Sequence, residues 1–170
     1  MCHIQNPKII VAASKKEFNA GKKLFLEYSR IIQIDLSFQD FKSELKDISI
    51  QYNKPDGGLL LLKIDGKFTG CAGIRKIDPE SAELKRMYIR KQYRGYGFGK
   101  QLLTAAIDLA GRIGYKKIQL DTLPEMKAAI RLYESAGFVE TEPYRFNPIE
   151  GAKFFQLILQ KTEEKNVKTF

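Results

Sequence analysis

The run from Gln92 to Leu103, QYRGYGFGKQLL, carries glycines at 95, 97 and 99, an arginine before them and a lysine after, and then passes into an apolar helical pattern. Glycines let backbone amides converge on one concavity, and a helix that opens there adds partial positive charge, so such a run suits a phosphate group. Charge gathers at the same place. Lys85, Arg86, Arg90, Lys91, Arg94 and Lys100 occur with no acid among them, the next being Asp108. The whole chain carries a formal +9, and an excess of this sign draws anionic partners, either nucleic acid or a phosphorylated cofactor.

Two common phosphate loops do not fit. A P-loop needs glycine at 94 and a hydroxyl residue at 101, because the hydroxyl must ligate magnesium, and here those positions are Arg94 and Gln101. A dinucleotide fingerprint starting at Gly95 needs a third glycine at 100, which is Lys100, and it calls for one strand before the loop rather than several.

The elements that must position this loop follow from periodicity. Residues 9–13, IIVAA, predict a strand, and Ser14 with Glu17 three positions on forms a capping-box pattern for a helix through Phe18, Leu24, Phe25 and Tyr28. A second helix is expected within DLSFQDFKSELKDI, starting near Ser37 with Asp40 three positions on. LLLLKI (59–64), an Asp65-Gly66 turn and TGCAGIRKI predict a hairpin, and AELKRMYI (82–89) a further strand, giving an antiparallel meander. Beyond the loop, Leu102, Leu103, Ala106, Ile107, Ala110 and Ile113 make a helical stripe that Gly114 ends. KKIQLDT (116–122) then predicts a strand parallel to 82–89, since a helix separates the two. A helix over 126–136 closes at Gly137, and FVETE and KFFQLILQ predict the last strands. The expected fold is therefore α/β: a single domain over 1–170 with a mixed, mostly antiparallel sheet, about four helices and a frayed charged tail at 161–170.

The surviving loop pattern, R-x-x-G-x-G from Arg94 to Gly99, resembles the signature of the GCN5-related N-acetyltransferase (GNAT) superfamily. The strand, loop and helix over 84–103 are similar to that family's cofactor segment, and AAIRLYESAGF (128–138) is similar to its second hallmark, A-x-x-L-Y-x-x-x-G-F. The resemblance implies a central parallel strand pair splayed at the cofactor site. It implies acetyl-CoA as co-substrate, with no metal, and direct transfer of the acetyl group to a primary amine. Main-chain groups of Met87, Tyr88 and Ile89 would bind the pantetheine arm, with one N–H stabilising the oxyanion. Arg94, Gly95, Tyr96, Gly97, Phe98, Gly99 and Lys100 would wrap the pyrophosphate, and the six local cations would complement the phosphates. Tyr96 and Phe98 also suit plain packing at the helix start.

Tyr133 matches the tyrosine that protonates the leaving thiolate in many members; its alternative role is that of a core tyrosine. A thiol of pKa ~8.5 leaves as thiolate, and a phenol of pKa ~10 can supply the proton. The acceptor amine must lose a proton, and Glu83, six residues before Ile89, stands where one branch of the family places its base, with Asp121 as reserve; a solvated strand-start residue is the other reading of Glu83. Met126 occupies a position where the family commonly has asparagine, which puts that residue's contact with the cofactor arm in doubt. Acceptor pockets of the family form from the first two helices and the C-terminal strands, so Tyr144, Arg145, Phe146 and Asn147 are candidate pocket residues, offering aromatic walls and one cation for a small amine bearing a carboxylate.

Composition bounds the remaining classes. Hydrophobic residues make 44% and charged ones 29%, an ordinary globular profile, and no apolar run nears the ~20 residues that span a bilayer. The first residues lack the pattern of a signal peptide, and Cys2 and Cys71 have no metal spacing, so reduced thiols and a cytoplasmic location are expected. His3 stands alone near the N-terminus with no partner for catalysis in sequence. A small-molecule amine is the expected partner, and a homodimer is compatible with it. The competing readings are a protein or peptide N-acetyltransferase and a non-catalytic module binding acyl-CoA or nucleic acid. The nucleic-acid version rests on net charge alone, without zinc spacing, basic helix or RNA-binding strand signature.

Overall fold

The computed structural model describes residues 7–37 and 40–159; Cys2, His3 and the 161–170 tail lie outside them. Element order is β1 (Lys8–Val11), α1 (Lys15–Ile32), α2 (Phe41–Lys46), α3 (Ile48–Gln51), β2 (Gly58–Ile64), β3 (Lys67–Lys76), β4 (Ser81–Ile89), α4 (Phe98–Ile113), β5 (Lys117–Thr122), α5 (Lys127–Ser135), β6 (Val139–Glu140) and β7 (Lys153–Ile158). The strands form one sheet in the order β1-β2-β3-β4-β5-β7-β6, and β4 with β5 is its parallel pair. No helix among the described residues is long and apolar enough to cross a membrane.

Both faces of the sheet are covered, and β2 shows why. Its even-numbered Leu60 and Leu62 pack with Leu102, Leu103 and Ala106 of α4, whereas Leu59 and Leu61 pack with Phe18, Leu24 and Phe25 of α1. Period-2 alternation in an all-leucine run thus feeds two cores at once. Each fully buried leucine contributes about 1.5–3 kcal/mol.

Local signals hold closely at α1 and at the first hairpin. Ser14 Oγ accepts the Glu17 amide while the Glu17 carboxylate accepts the Ser14 amide, a complete capping box. Asp65 and Gly66 both take positive φ, 48° and 79°, as a two-residue hairpin turn of this sequence requires. The second helix differs from expectation. Asp35 Oδ1 accepts the Ser37 amide in a local turn, Asp40 adopts a left-handed conformation, and α2 starts only at Phe41. A break at Asp47 then separates α3, which makes five α-helices among the described residues, close to the expected four. FVETE contributes only the two-residue β6, because residues 141–152 leave the sheet before β7.

Two irregularities in β4 shape the site. Pairing with β5 runs only through Ser81–Lys117, Ala82–Ile118 and Glu83–Gln119, after which the strands part although β4 continues to Ile89. A bulge against β3 falls between the Cys71–Tyr88 and Gly73–Lys85 pairs, with Arg86 at φ 54°. The bulge reverses the alternation. Ala82 and Leu84 belong to the α4 core, yet Tyr88, also even-numbered, belongs to the α1 core.

Candidate functional site

Where β4 and β5 part, a cleft of about 480 Å³ runs from the start of α4 to the end of α1. Its walls include Met87, Tyr88 and Ile89 of β4, Leu120, Asp121 and Thr122 of β5, and Ala128, Leu132 and Tyr133 of α5. The β4 residues after Glu83 pair with β3 but have no rung to β5, so their main-chain groups on that side face the opening. An extended chain carrying amides can occupy such a gap as an added strand.

At one end stands the glycine loop. Gly95 and Gly97 take φ of 85° and 79°, the left-handed region that a side chain resists. Gly97 is the N-cap of the 16-residue α4, no side chain caps that terminus, and the first turn holds no acid. Uncapped amides and an aligned dipole fit a pyrophosphate. Arg94 Nε donates to the Ile89 carbonyl at 2.7 Å, bracing the loop on the strand end. Phe98 is buried in the α4 core, and Tyr96 stacks over it at 6.0 Å while staying exposed. Gly99 lines the cleft beside Leu132, which a Cβ there would meet at 3.3 Å.

The six cations do not all serve that loop. Lys91, Arg94 and Lys100 are exposed around it. Arg86 instead forms a buried two-pronged pair with Glu44 at 3.0 and 2.6 Å, and Arg90 a similar pair with Glu27 at 2.8 and 2.6 Å. Lys85 is buried in the cleft wall. The bulge causes this redistribution, since it turns the middle of β4 toward α1 and α2.

Tyr133 is the one buried residue of α5, and it lines the cleft with its ring tilted against Phe138 at 5.9 Å. Burial, reinforced by Tyr28 and Asp121, pushes its phenol well above the usual range, so the proton stays on at neutral pH. Met126 caps α5 without a side-chain hydrogen bond to the helix. Its sulfur instead accepts the Thr122 hydroxyl at 3.7 Å and the Tyr28 hydroxyl at 4.0 Å, tying α1, β5 and α5 together on the cleft wall.

The far end is built from charge. Arg75 Nε donates to Glu83 at 2.8 Å, the Tyr144 hydroxyl donates to Glu83 at 2.8 Å, and Arg145 Nε lies 3.3 Å from the same carboxylate. Arg145 Nη2 donates to both Asp121 oxygens at 2.7 and 2.8 Å, and Asn147 Nδ2 adds a third bond at 2.8 Å. Glu83 is outside the cleft lining and borders a neighbouring depression with Gln51, Arg75 and Tyr144. Burial raises its pKa, but Lys85, Arg75 and Arg145 outweigh that and hold it below the usual carboxylate range. The residue expected as a base, Glu83, thus has its oxygens turned to arginines and a phenol, which lowers its affinity for a proton. Asp121 does line the cleft. Of the candidate pocket residues, Asn147 lines the cleft, Tyr144 and Arg145 turn toward the carboxylates, and Phe146 is 79% exposed. The single cation foreseen for a substrate is therefore engaged within the protein. The first two helices were expected to build the acceptor pocket as segments; Tyr28, Ile31, Ile32, Ile34 and Leu36 are the residues there that line the cleft, and Glu44 holds Arg86 of its wall. Glu44 carried a usable signal, being an acid in an amphipathic stretch, but its partner depends on the bulge.

The model of the acetyltransferase (GNAT) family matches residues 24–138. An uncharacterized N-acetyltransferase of Schizosaccharomyces pombe is 35% identical over 92% of this chain and 97% of its own length. An N-acetylaspartate synthetase of Xenopus tropicalis is 29% identical over 81% of this chain and 51% of that protein. Among solved structures, yncA of Salmonella typhimurium with its cofactor acetyl-CoA superposes with a TM-score of 0.66 at 21% identity, covering 92% of this chain and 95% of that one. With the splayed parallel pair and the open glycine loop, these matches place the chain in the GNAT family of acetyltransferases. It is an acetyl-CoA-dependent N-acetyltransferase.

Proposed function

We propose that the enzyme acetylates the primary amine of a small molecule, in particular an amino acid. The observation that carries this reading is the continuity of the cleft, from the uncapped start of α4, along the unpaired edge of β4 and past Tyr133, into a chamber walled by Ile31, Ile34 and Leu36. The cleft is half-open and lined by side chains from several elements, and its volume of about 480 Å³ suits a small acceptor better than a long peptide. The Xenopus tropicalis relative is an N-acetylaspartate synthetase, and that acetylated amino acid supports the same acceptor class.

Acetyl-CoA supplies a thioester whose carbonyl carbon accepts an amine. The backbone of 95–99 and the exposed Lys91, Arg94 and Lys100 bind the phosphates, and the free edge of 87–89 aligns the arm by main-chain hydrogen bonds. A backbone N–H of that edge stabilises charge on the thioester oxygen. As the carbon–nitrogen bond forms and the carbon–sulfur bond breaks, Tyr133 gives its proton to the departing sulfur. The ammonium loses one proton before it attacks and a second once the carbon–nitrogen bond has formed; one leaves by the open cleft past Asp121, because Glu83 is held by arginines, and the other restores the Tyr133 hydroxyl. Net charge does not favour nucleic acid as the alternative, since Arg75, Arg86, Arg90 and Arg145 are held in ion pairs within the protein.

The test has two stages. Thermal shift with acetyl-CoA and with duplex DNA should show stabilisation by the first; stabilisation by DNA alone would overturn the reading. A thiol-release screen over amines, amino acids and peptides then identifies the acceptor class, and turnover confined to peptides would replace the small-molecule assignment.

A further inference from the structure

We infer that the acceptor carries a nonpolar substituent, aliphatic or aromatic, beside its primary amine, and that a strip of apolar side chains at the α1 end of the cleft selects for it. This rests on the acetyl-transfer reading above and names the acceptor class that the same cleft takes.

Backbone alternation makes the strip. Helix α1 ends at Gln33, which takes a left-handed φ of 52°, and the chain beyond it runs without helix through Leu36. Exposure alternates over these residues. Gln33 and Asp35 are exposed, whereas Ile32, Ile34 and Leu36 turn inward and line the cleft, Leu36 at only 6% exposure. Asp35 Oδ1 accepts the Ser37 amide at 2.8 Å, which holds the turn from its outer side. Ile149 lines the same cleft from the 141–152 loop. Asp121 accepts the Asn147 side-chain amide at 2.8 Å, and Asn147 Oδ1 accepts the Ile149 N–H at 3.0 Å, a chain of bonds that fixes the loop against β5.

These side chains do not serve the cores. Among the described residues, both hydrophobic clusters leave out Ile31, Ile32, Ile34, Leu36 and Ile149, and Ile31 stays 56% exposed at the rim. Apolar surface gathered in a cleft gains free energy when a nonpolar group displaces its water. The occupant is the acceptor, because the strip belongs to the cavity of Tyr133 and the free edge of 87–89 and lies at the end away from the glycine loop. Charges on the wall offer little to a polar substituent. Arg86 is bonded to Glu44, Asp121 to Arg145 and Asn147, and Lys85 is attracted by Glu83, while Arg94, Glu125 and Lys127 are exposed. A polar substituent against the strip loses water without gaining a partner, whereas a nonpolar one gains about fourfold in affinity for each methylene covered.

The experiment follows thiol release with saturating acetyl-CoA over L-alanine, L-2-aminobutyrate, L-norvaline and L-norleucine, and over the matching n-alkylamines from ethylamine to pentylamine. L-Leucine is compared with L-asparagine and L-aspartate, which have nearly its shape. In the wild type kcat/KM should rise about fourfold per methylene, about 50-fold across whichever series is turned over, carried by KM. Leucine should exceed asparagine and aspartate by at least about tenfold. Leu36→Ala should cut the norleucine-to-alanine ratio about tenfold, and Ile34→Asn, at a half-buried site outside both cores, should cut the leucine-to-asparagine ratio at least about threefold. A flat wild-type series, or asparagine or aspartate ahead of leucine, overturns the inference while acetyl transfer stands. A variant loss equal for every acceptor overturns it too, as does one confined to the acetyl-CoA dissociation constant, which assigns the strip to the cofactor arm. Should Leu36→Ala not fold, Ile34→Asn decides alone. Turnover of peptides only, or of no amine while acetyl-CoA still stabilises the protein, overturns the inference together with the small-molecule assignment. No turnover of any amine, with no stabilisation by acetyl-CoA, would instead remove the acetyl-transfer reading itself.

Discussion

The two ends of one cleft are built on different principles. At the α4 end the binding groups are backbone: positive-φ glycines, an uncapped helix start and the unpaired edge of β4. Toward the α1 end the wall rests on side chains locked into a charge network, Glu44 with Arg86, Glu83 with Arg75 and Arg145, Asp121 with Arg145 and Asn147, of which Arg86, Asp121 and Asn147 line the cleft itself. A backbone site depends on conformation and tolerates changes of side chain, so one loop serves one cofactor across a family. A charge network depends on every partner, and replacing one residue re-specifies the whole wall. The same strand supplies both ends, and the bulge at Arg86 is the point where one construction gives way to the other.

Breaking the network should therefore cost more than altering the loop. Glu44→Ala leaves the Arg86 guanidinium buried without its carboxylate and also strips the Tyr52 hydroxyl of its 2.6 Å acceptor. The expected loss is about 3–5 kcal/mol, equivalent to roughly 10 °C in the melting temperature of a chain this size. Calorimetry checks it, and a loss under about 1 kcal/mol would mean that the arginine finds water. Acid supplies the matching titration. Arg86 holds the Glu44 carboxyl below its ordinary value despite burial, so folding favours the ionised form. The stabilisation is complete above the unfolded pKa of about 4.3 and disappears as pH falls through the folded value. Wild-type stability should decline more steeply below pH ~4.5 than that of Glu44→Gln.

Tyr133 sits where the two constructions meet, and its removal should affect turnover rather than binding. Tyr133→Phe keeps the packing on Phe138 and deletes the proton, so kcat should fall about 100-fold with acetyl-CoA affinity nearly unchanged. Stopped-flow thiol release together with calorimetric titration separates the two quantities. A fall in affinity of equal size would make the hydroxyl a binding group.

The loop should respond to conformation first and to charge second. Gly97→Ala forces a Cβ into the left-handed region, costing about 1–2 kcal/mol, and it should raise the acetyl-CoA dissociation constant about tenfold. Lys100→Ala removes an exposed cation and should raise it only about threefold, an effect that fades in salt. The reverse order would mean that charge, not backbone shape, holds the phosphates.

This contrast also explains what could be read in advance. Local chemistry announces itself: the Ser14–Glu17 box, the Asp65-Gly66 turn, the helix ends at Gly114 and Gly137 and the parallel placement of β5 all follow from adjacent residues or short spacings. The glycine loop was legible for the same reason, because its function lies in consecutive backbone positions. The charge network joins residues far apart in sequence, and its registry rests on one extra residue in β4 and on Asp40 and Asp47 reshaping α2 and α3. Nothing in ELKRMYI marks Arg86 as the bulge, and strict alternation would have sent Arg86 to the α4 side and left Glu44 alone. The arginines around Glu83 come from positions 75 and 145, which sequence does not bring together.

The smallest expected effect probes the join itself. Met126 stands at the start of α5 with no side-chain cap, its sulfur accepting hydroxyls from Thr122 and Tyr28. Asparagine at a helix N-cap is preferred because its side-chain oxygen accepts an otherwise unpaired amide, an effect of about 1 kcal/mol. Met126→Asn gains that bond but gives up thioether packing against Tyr28 and the cleft wall, so the net stability change should stay within about 1 kcal/mol. Its activity should separate the two ends of the cleft. The side chain lies between α1 and α5, so acceptor KM should move by several-fold while the acetyl-CoA dissociation constant moves less than twofold. A change confined to acetyl-CoA affinity would place Met126 with the backbone-built end and shift the boundary between the two constructions from α5 to α1.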